Sequence, residues 1–352
     1  MLGASQKTAR RRMPRTGLKI ELVLFVYFLR CIVMTTDQPD LFRRIDFSST
    51  ADPRFGTVRW SPSKSLWWFA MLSGWTILGS LYFSISAVVV FIITCAITLC
   101  LGHSIGMHRK LIHDAFECSP AMEKIFVYLG TLVGLGGPFT MMLNHDMRDW
   151  AQRQPRCHPF LSHQSPILKD WWWQLHCKLH LDNPPEFQYP TRVADSRFFR
   201  LIEHTSMMQQ LPPGLLLFAF GGWGWVAWGI CGRVCVSIFG HWIIGYFAHN
   251  SGARDWHIKG AAVQGHNVLY CGLITFGECW HNNHHAFPGS AKLGVMPGQV
   301  DPGWWVLKGM QNLGLVGALN EPADLPERAE LSAITAERKL GLKNQIQSLN
   351  TG

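Results

Sequence analysis

The chain has 352 residues, of which 48% are hydrophobic and only 16% charged, and its formal net charge is +9. A soluble domain carries about 25% charged residues, so this composition is untypical of a soluble protein and indicates a membrane protein with polar parts. All but one of the 32 Lys and Arg lie in residues 1–66, 103–210 and 250–352. This grouping favours three stretches on the cytoplasmic face over a nucleic-acid-binding surface, so we expect no nucleic-acid partner.

The N-terminal segment, residues 1–64, is basic and contains one short apolar run at 20–34, which Arg30 interrupts. A membrane span needs about 20 apolar residues. If the run crossed the membrane, the basic residues before it would lie outside, against the usual charge bias. We therefore predict a helix that lies in the membrane interface, with a true span as the alternative, and interpret residues 35–64 as a linker.

Two long uncharged stretches predict the membrane-spanning part. Residues 67–102 run for 36 residues without a charge, too long for one helix across a hydrocarbon core about 30 Å thick. They predict a helical hairpin with its turn near 79–86, and residues 211–248 predict a second hairpin with its turn at Arg233. We expect an all-α membrane protein with two transmembrane helical hairpins, about four spans, and a cytoplasmic helical cap.

Histidines first appear where the first hairpin ends, in the sequence HSIGMHRKLIHDAF. His108 and His113 are five residues apart, and so are His103 and His108. Five residues on an α-helix turn by about 140°, so such a pair cannot hold one ion from one face. The spacing instead predicts a pair that serves two ions, one on either side, as a dinuclear centre requires.

The densest histidine motif is FGECWHNNHHAFP, residues 276–288. Its histidines, His281, His284 and His285, are three and four residues apart, a spacing that puts side chains on one face of a helix. Imidazole nitrogens suit zinc, copper, iron and nickel alike. Glu278 lies three residues before the first of them, so its carboxylate could orient a ligand ring from outside the metal's own coordination sphere.

GECWHNNHHAFP resembles the third histidine motif of the integral-membrane fatty acyl desaturases, acyl-CoA Δ9 branch, and GMHRKLIHDAF resembles the first. The similarity covers about residues 65–315. Asp-Trp-Ala at 149–151 resembles the approach to the second motif, which places Gln154, Cys157 and His158 where the family has histidines. Gly245 stands where the family often has an Asn that helps to hold a metal-bound water.

The resemblance implies a histidine-ligated di-metal site, with no catalytic residue beyond the metal centre. The implied metal ligands are His108, His113, His158, His249, His281, His284 and His285. Further candidates near the altered second motif are His163, His145 and Cys157, although Pro155 and Pro159 prevent a regular helix there.

By the same resemblance we expect two iron ions per chain, O2 as co-substrate, and insertion of a cis double bond into an acyl chain carried by CoA or a membrane lipid. Electrons would come from a partner, ferredoxin or a b-type cytochrome with its reductase. The metal site and both termini would lie on the cytoplasmic face, in a desaturase-like domain at 65–320 followed by a soluble tail at 321–352. Two alternatives stay open: a related di-iron hydroxylase, and a catalytically impaired lipid-binding or regulatory protein of the same fold.

Overall fold

The computed structural model describes residues 44–46 and 50–334. These residues belong to one compact unit. The predicted interfacial helix at 20–34 and the end of the predicted tail, 335–352, lie outside the described residues.

The structure is mostly helical, as predicted. The longer α-helices are Pro62–Ser73, Ile85–Ala96, Pro120–Thr131, Pro138–Arg153, Ile167–His176, Arg197–His204, Leu211–Val226, Arg233–Asn250 and Pro302–Asn312. Short α-helices are Gly79–Leu81, Pro159–Ser162, Thr191–Ala194 and His281–Ala286. Gly74–Leu78, Ile97–Ile112 and Ala227–Gly232 are π-helical, whereas Ser206–Gln210 and Pro322–Asp324 are 3-10 helices.

Four antiparallel strand pairs accompany the helices, which the all-α prediction did not include. They are Ile45–Asp46 with Glu186–Phe187, Asp52–Trp60 with Cys177–Asn183, Phe116–Cys118 with Val316–Leu319, and Trp256–Ile258 with Leu331–Ala333. Residues 52–60 were interpreted as linker and 331–333 as tail. Both are strands in the structure, and the domain limits of 65–320 stay a prediction.

The first predicted hairpin has its turn within the predicted range. The helix that starts at Pro62 ends at Leu81, and the next begins at Ile85, where the Ser84 side chain accepts a hydrogen bond from the N–H of Ala87. Ile85–Ile112 is long and apolar enough to cross a membrane, and only 28% of its most apolar stretch is buried. A core helix of a soluble protein would be mostly buried, so the exposed apolar surface indicates contact with lipid.

The turn of the second hairpin was predicted at Arg233, and this is wrong. Ser206–Asn250 is the other segment long and apolar enough to span, and its helical path breaks at Gly222, whose φ of 63° is open to glycine. A Cβ at Gly229 would meet the Leu217 side chain, which shows that the chain turns back on itself after the break. Arg233 lies inside the returning helix, buried, and donates to the Gly229 carbonyl and the Gln210 amide oxygen. The four predicted spans stay a prediction.

Candidate metal centre

Four histidines from three parts of the chain form one group, which we call the four-histidine cluster. Two come from the end of the π-helix, one from helix Pro138–Arg153 and one from helix His281–Ala286. They are His108, His113, His145 and His284, and their candidate ligand atoms all lie within 4.8 Å of one another. The Nε2 atoms of His108 and His284 are 3.4 Å apart, as are those of His113 and His145.

His108 and His113 join the same cluster because the helix that carries them is not an α-helix. Ile97–Ile112 is π-helical, and the N–H of His113 donates to the carbonyl of His108 at 3.1 Å. Hydrogen bonds from i to i+5 make each turn wider than that of an α-helix, so residues five apart come to the same side, and the two ring centroids are 4.9 Å apart. The prediction that this spacing serves two ions on either side is therefore wrong for the pair.

Arg44 ties the helix of His145 to the end of the π-helix. Its guanidinium binds both carboxylate oxygens of Asp146, at 2.5 and 2.9 Å, and donates to the carbonyl of Ile112 at 2.7 Å. Burial acts to lower the pKa of His145, but Asp149 and Asp146 outweigh it and raise that pKa. The position of His145 thus depends on contacts made by Asp146, the residue next to it.

Glu278 fixes the orientation of the His108 ring. Its Oε2 lies 2.6 Å from His108 Nδ1, and its Oε1 accepts a hydrogen bond from Ser104 at 2.6 Å. Burial opposes ionisation of Glu278, but His108 and Arg109 outweigh burial and hold the pKa of the carboxyl well below its usual value. A carboxylate on Nδ1 leaves Nε2 free to face the cluster, the arrangement found behind many metal-bound histidines.

The second group, which we call the three-histidine cluster, consists of His249, His281 and His285. His249 lies near the end of helix Arg233–Asn250, and its Nδ1 contacts the carbonyl of Gly245 at 2.6 Å. The Nε2 of His281 is 3.0 Å from that of His249 and 2.9 Å from that of His285. Burial lowers the pKa of His281 to about 4, so this ring is neutral at pH 7 and able to bind a metal.

Both clusters fit a metal ion. Ring nitrogens bind an ion at about 2.0–2.1 Å, which places neighbouring ligand atoms roughly 3 Å apart. The Nε2 separations of 2.9–3.4 Å match that spacing in both groups. A neutral imidazole has one N–H, so the facing rings do not have a proton for every contact between their Nε2 atoms. An ion between the rings would bind several nitrogen lone pairs at once.

His163 lies beside the three-histidine cluster without joining it. Its ring stacks on His249 with centroids 5.2 Å apart, and its Nδ1 is 2.8 Å from a carboxylate oxygen of Asp170. Its Nε2 contacts the guanidinium of Arg148. Both ring nitrogens thus have protein partners. A Cβ at Gly245 would lie 3.5 Å from that Nε2, so the His163 ring occupies space beside Gly245.

His158 and Cys157 are not brought into either cluster of the described residues. The Nδ1 of His158 accepts a hydrogen bond from the N–H of Phe160 at 3.1 Å, and its ring lies 5.9 Å from that of Trp173. Burial raises the pKa of the Cys157 thiol to about 11, so it stays protonated, whereas a metal binds the thiolate.

His145 is the residue whose importance the sequence reasoning underestimated. It was given only as a further candidate near the altered second motif, because the resemblance points to Gln154, nine residues further on. In the structure Pro138–Arg153 is a regular helix that ends just before Gln154. The sequence contains one indication of this helix: a proline that follows two glycines is typical of a helix start. A helix that begins there is long enough to include His145.

Comparison with characterised proteins shows similarity to acyl desaturases. The chain is 30% identical over 247 residues to the sn-1 stearoyl-lipid 9-desaturase of Synechocystis, covering 69% of this chain and 74% of that protein. It is 31% identical over 243 residues to the sn-1 stearoyl-lipid 9-desaturase of Anabaena variabilis, covering 66% and 84%. It is 26% identical over 231 residues to an acyl-CoA C20 Delta5-desaturase of Anemone leveillei, covering 64% and 72%. No family profile matches the chain.

Proposed function

Because this chain belongs to the fatty acyl desaturase family, whose members are oxidoreductases, we propose that it introduces a cis double bond into an acyl chain at two iron ions. One observation carries the proposal. Seven histidines from four separate elements converge in two clusters whose Nε2 atoms have metal-ligand spacing.

Iron is the metal that the reaction favours. Histidine ligands alone would accept zinc, copper, iron or nickel. Removal of hydrogen from an unactivated CH2 group is beyond any side chain, and bound iron with O2 would supply the oxidising power. Zinc has no redox chemistry, so it would fit the ligands without serving this reaction.

The chain's own residues position the ions and shield them. The four-histidine cluster would hold one ion, with Glu278 orienting His108 through its Nδ1. The three-histidine cluster would hold the other, with the Gly245 carbonyl orienting His249. The ligand side chains are buried or half-buried, which limits the access of bulk water to the site.

Substrate and partners follow from the relatives and from the charge pattern. The relatives are named for stearoyl-lipid and acyl-CoA substrates. We propose an acyl chain on CoA or on a membrane lipid, O2 as co-substrate, and electrons from ferredoxin or from a b-type cytochrome with its reductase. All but one of the Lys and Arg lie in three polar stretches, and two of these, 103–210 and 250–352, carry every clustered histidine except His249, which favours a cytoplasmic metal site.

The test is expression in a host that lacks its own desaturase, with acyl chains identified by mass spectrometry. Wild type should form an alkene product, and His284→Ala should lose it, while His204→Ala, a change at an exposed histidine, should retain it. Hydroxylated chains would indicate the hydroxylase alternative. No change in lipids from an iron-loaded wild type would indicate the lipid-binding alternative and overturn the proposal.

A further inference from the structure

Segment Ile85–Ile112 exposes its apolar side chains only in its first half. The exposed large apolar side chains end at Ile97, and between Thr98 and Ile112 every large apolar side chain of the segment is covered, at least in part, by other protein. A membrane span needs about 20 residues, so a hydrocarbon core that starts at Ile85 ends at about residue 105. The elements that cover residues 98–105 therefore lie at the depth of the membrane boundary.

Helix Pro302–Asn312 is one of the elements that cover these residues. Its Leu307 is fully buried, in one apolar cluster with Cys100 and Ile105 of the segment. Trp305 and Leu313 are eight residues apart, about two turns, which puts both on the side away from Leu307. They are 56% and 76% exposed. The helix is thus apolar on two sides, of which the protein covers only one.

The loop that ends at Phe276 adjoins this helix at a similar depth. The Phe276 carbonyl lies 3.3 Å from the Ser104 hydroxyl and accepts a hydrogen bond from Arg109 at 3.1 Å, so the loop lies against the segment. A Cβ at Gly272 would meet the carbonyl oxygen of Val300, two residues before the helix begins. Loop and helix therefore form one surface beside the segment.

This surface carries exposed large apolar side chains. We call them the cap patch: Leu273, Ile274, Trp305, Leu313 and Leu315, each 45% exposed or more. An apolar surface of this kind marks a contact with a protein or with a membrane. Residues 269–277 contain no charge, and residues 302–319 contain only Lys308. A soluble partner recognised by charge finds little to match here, whereas tryptophan and a single long lysine are typical of the bilayer interface.

We propose that the cap patch lies in the interface of the lipid bilayer and continues the lipid-facing surface of residues 85–97. Its depth beside the segment and its lack of charge carry the proposal. Helix Pro302–Asn312 is then an interfacial helix, covered by protein on the side of Leu307 and by lipid on the side of Trp305.

The contact with lipid is connected to the metal centre through one side chain. The Ser104 hydroxyl that lies beside the Phe276 carbonyl also donates to the Glu278 carboxylate at 2.6 Å. Glu278 in turn orients the His108 ring. The loop in the bilayer interface therefore leads directly to the residue behind a candidate metal ligand. The placement of the patch does not depend on which metal the clusters bind.

The test is photocrosslinking of the full-length protein in nanodiscs of phosphatidylcholine. Photoreactive p-benzoylphenylalanine replaces one residue at a time, at Trp305 or Leu313 in the cap patch. Ile92, an exposed residue of the span, is the positive control, and Glu327, an exposed residue of a polar loop, is the negative control. Mass spectrometry identifies the adducts. We expect phospholipid adducts at both patch positions with a yield close to that at Ile92 and several-fold above that at Glu327.

Yields at both patch positions as low as at Glu327 would overturn the inference and leave the proposed function standing. Adducts with an added electron-donor protein in place of lipid would overturn it as well, because they would show a protein contact. If the replacement at Trp305 prevents folding, Leu273 carries the same expectation. Absence of lipid adducts at Ile92 would overturn the membrane span from which the depth is counted, and the inference with it.

Discussion

The N–H of His113 donates a hydrogen bond to the carbonyl of His108 at 3.1 Å, and their rings lie 4.9 Å apart. This single π-helical turn brings two ligands five residues apart into one cluster. π-Helical geometry here extends over 16 residues, from Ile97 to Ile112, so the position of both rings depends on how that whole segment packs.

Glycines at the contact between the π-helix and helix Pro120–Thr131 allow that packing. A Cβ at Gly106 would lie 2.6 Å from the carbonyl oxygen of Phe126. We expect Gly106→Ala to force the two helices apart, to cost about 1–3 kcal/mol of stability and to weaken iron binding at the four-histidine cluster. Thermal unfolding and iron content measure both effects. Gly240→Ala, at a position with nothing within 4 Å of the added Cβ, should lower neither.

Glu278 should be required for tight iron binding although it touches no ion. We expect Glu278→Gln to weaken iron binding about 10–100-fold, because an amide holds the His108 ring less firmly and withdraws a negative charge. Ferrous titration measures the affinity. Glu321→Gln, at an exposed carboxylate paired with Lys292, is the matched control and should bind as wild type does. Equal affinity in the two variants would contradict an orienting role.

Acid should destabilise the metal-free protein. Burial lowers the pKa of His281 from 6.5 to about 4, so the unfolded chain binds more protons than the folded one between these values. The contribution of His281 to the free energy of unfolding is therefore complete above pH 6.5. It falls by about 3 kcal/mol as the pH is lowered towards 4. Thermal unfolding of metal-free protein from pH 7.5 to 4.5 measures the slope, which His281→Ala should reduce. A slope unchanged in that variant would contradict the prediction.

Gly245 should not tolerate a larger side chain. A Cβ added there would lie 3.5 Å from His163 Nε2, in van der Waals contact, so an Asn side chain that continues in that direction would overlap the ring. We expect Gly245→Asn to displace His163 from Asp170, to cost about 1–3 kcal/mol and to lower the affinity of the three-histidine cluster for iron. Gly240→Asn, on the same helix with open space beside it, is the control. If Gly245→Asn unfolds at the same temperature as wild type, the ring moves without a cost in stability, which would contradict the prediction.

The local motifs made the family and the enzyme class predictable, and both predictions are confirmed. Residues 276–288 contain three ligand candidates in one short helix, so their proximity could be predicted without knowing how distant parts of the chain pack. The π-helix could not be predicted from spacing, because on an α-helix the five-residue spacing would put the two histidines on different sides. The strand pairs were missed because they join residues more than 70 positions apart, such as Trp256–Ile258 with Leu331–Ala333 and Asp52–Trp60 with Cys177–Asn183, which composition cannot indicate.

The second motif shows the limit of motif transfer. The approach Asp-Trp-Ala pointed beyond residue 151, whereas the structure brings His145, earlier on the same helix, to the four-histidine cluster. His158 stays a predicted ligand that the structure leaves outside both clusters. The direction and rotation of a helix decide which of its residues face the site. Neither can be inferred from a motif in which the expected histidines are absent.

The most direct measurement is iron per polypeptide in anaerobically loaded, detergent-purified protein, in wild type and in two single variants. Our account predicts about two irons per chain in wild type. It also predicts that His284→Ala and His249→Ala each lose one ion, from different clusters. No iron in the loaded wild type, or two irons retained in both variants, would contradict the claim that these clusters form the metal centre.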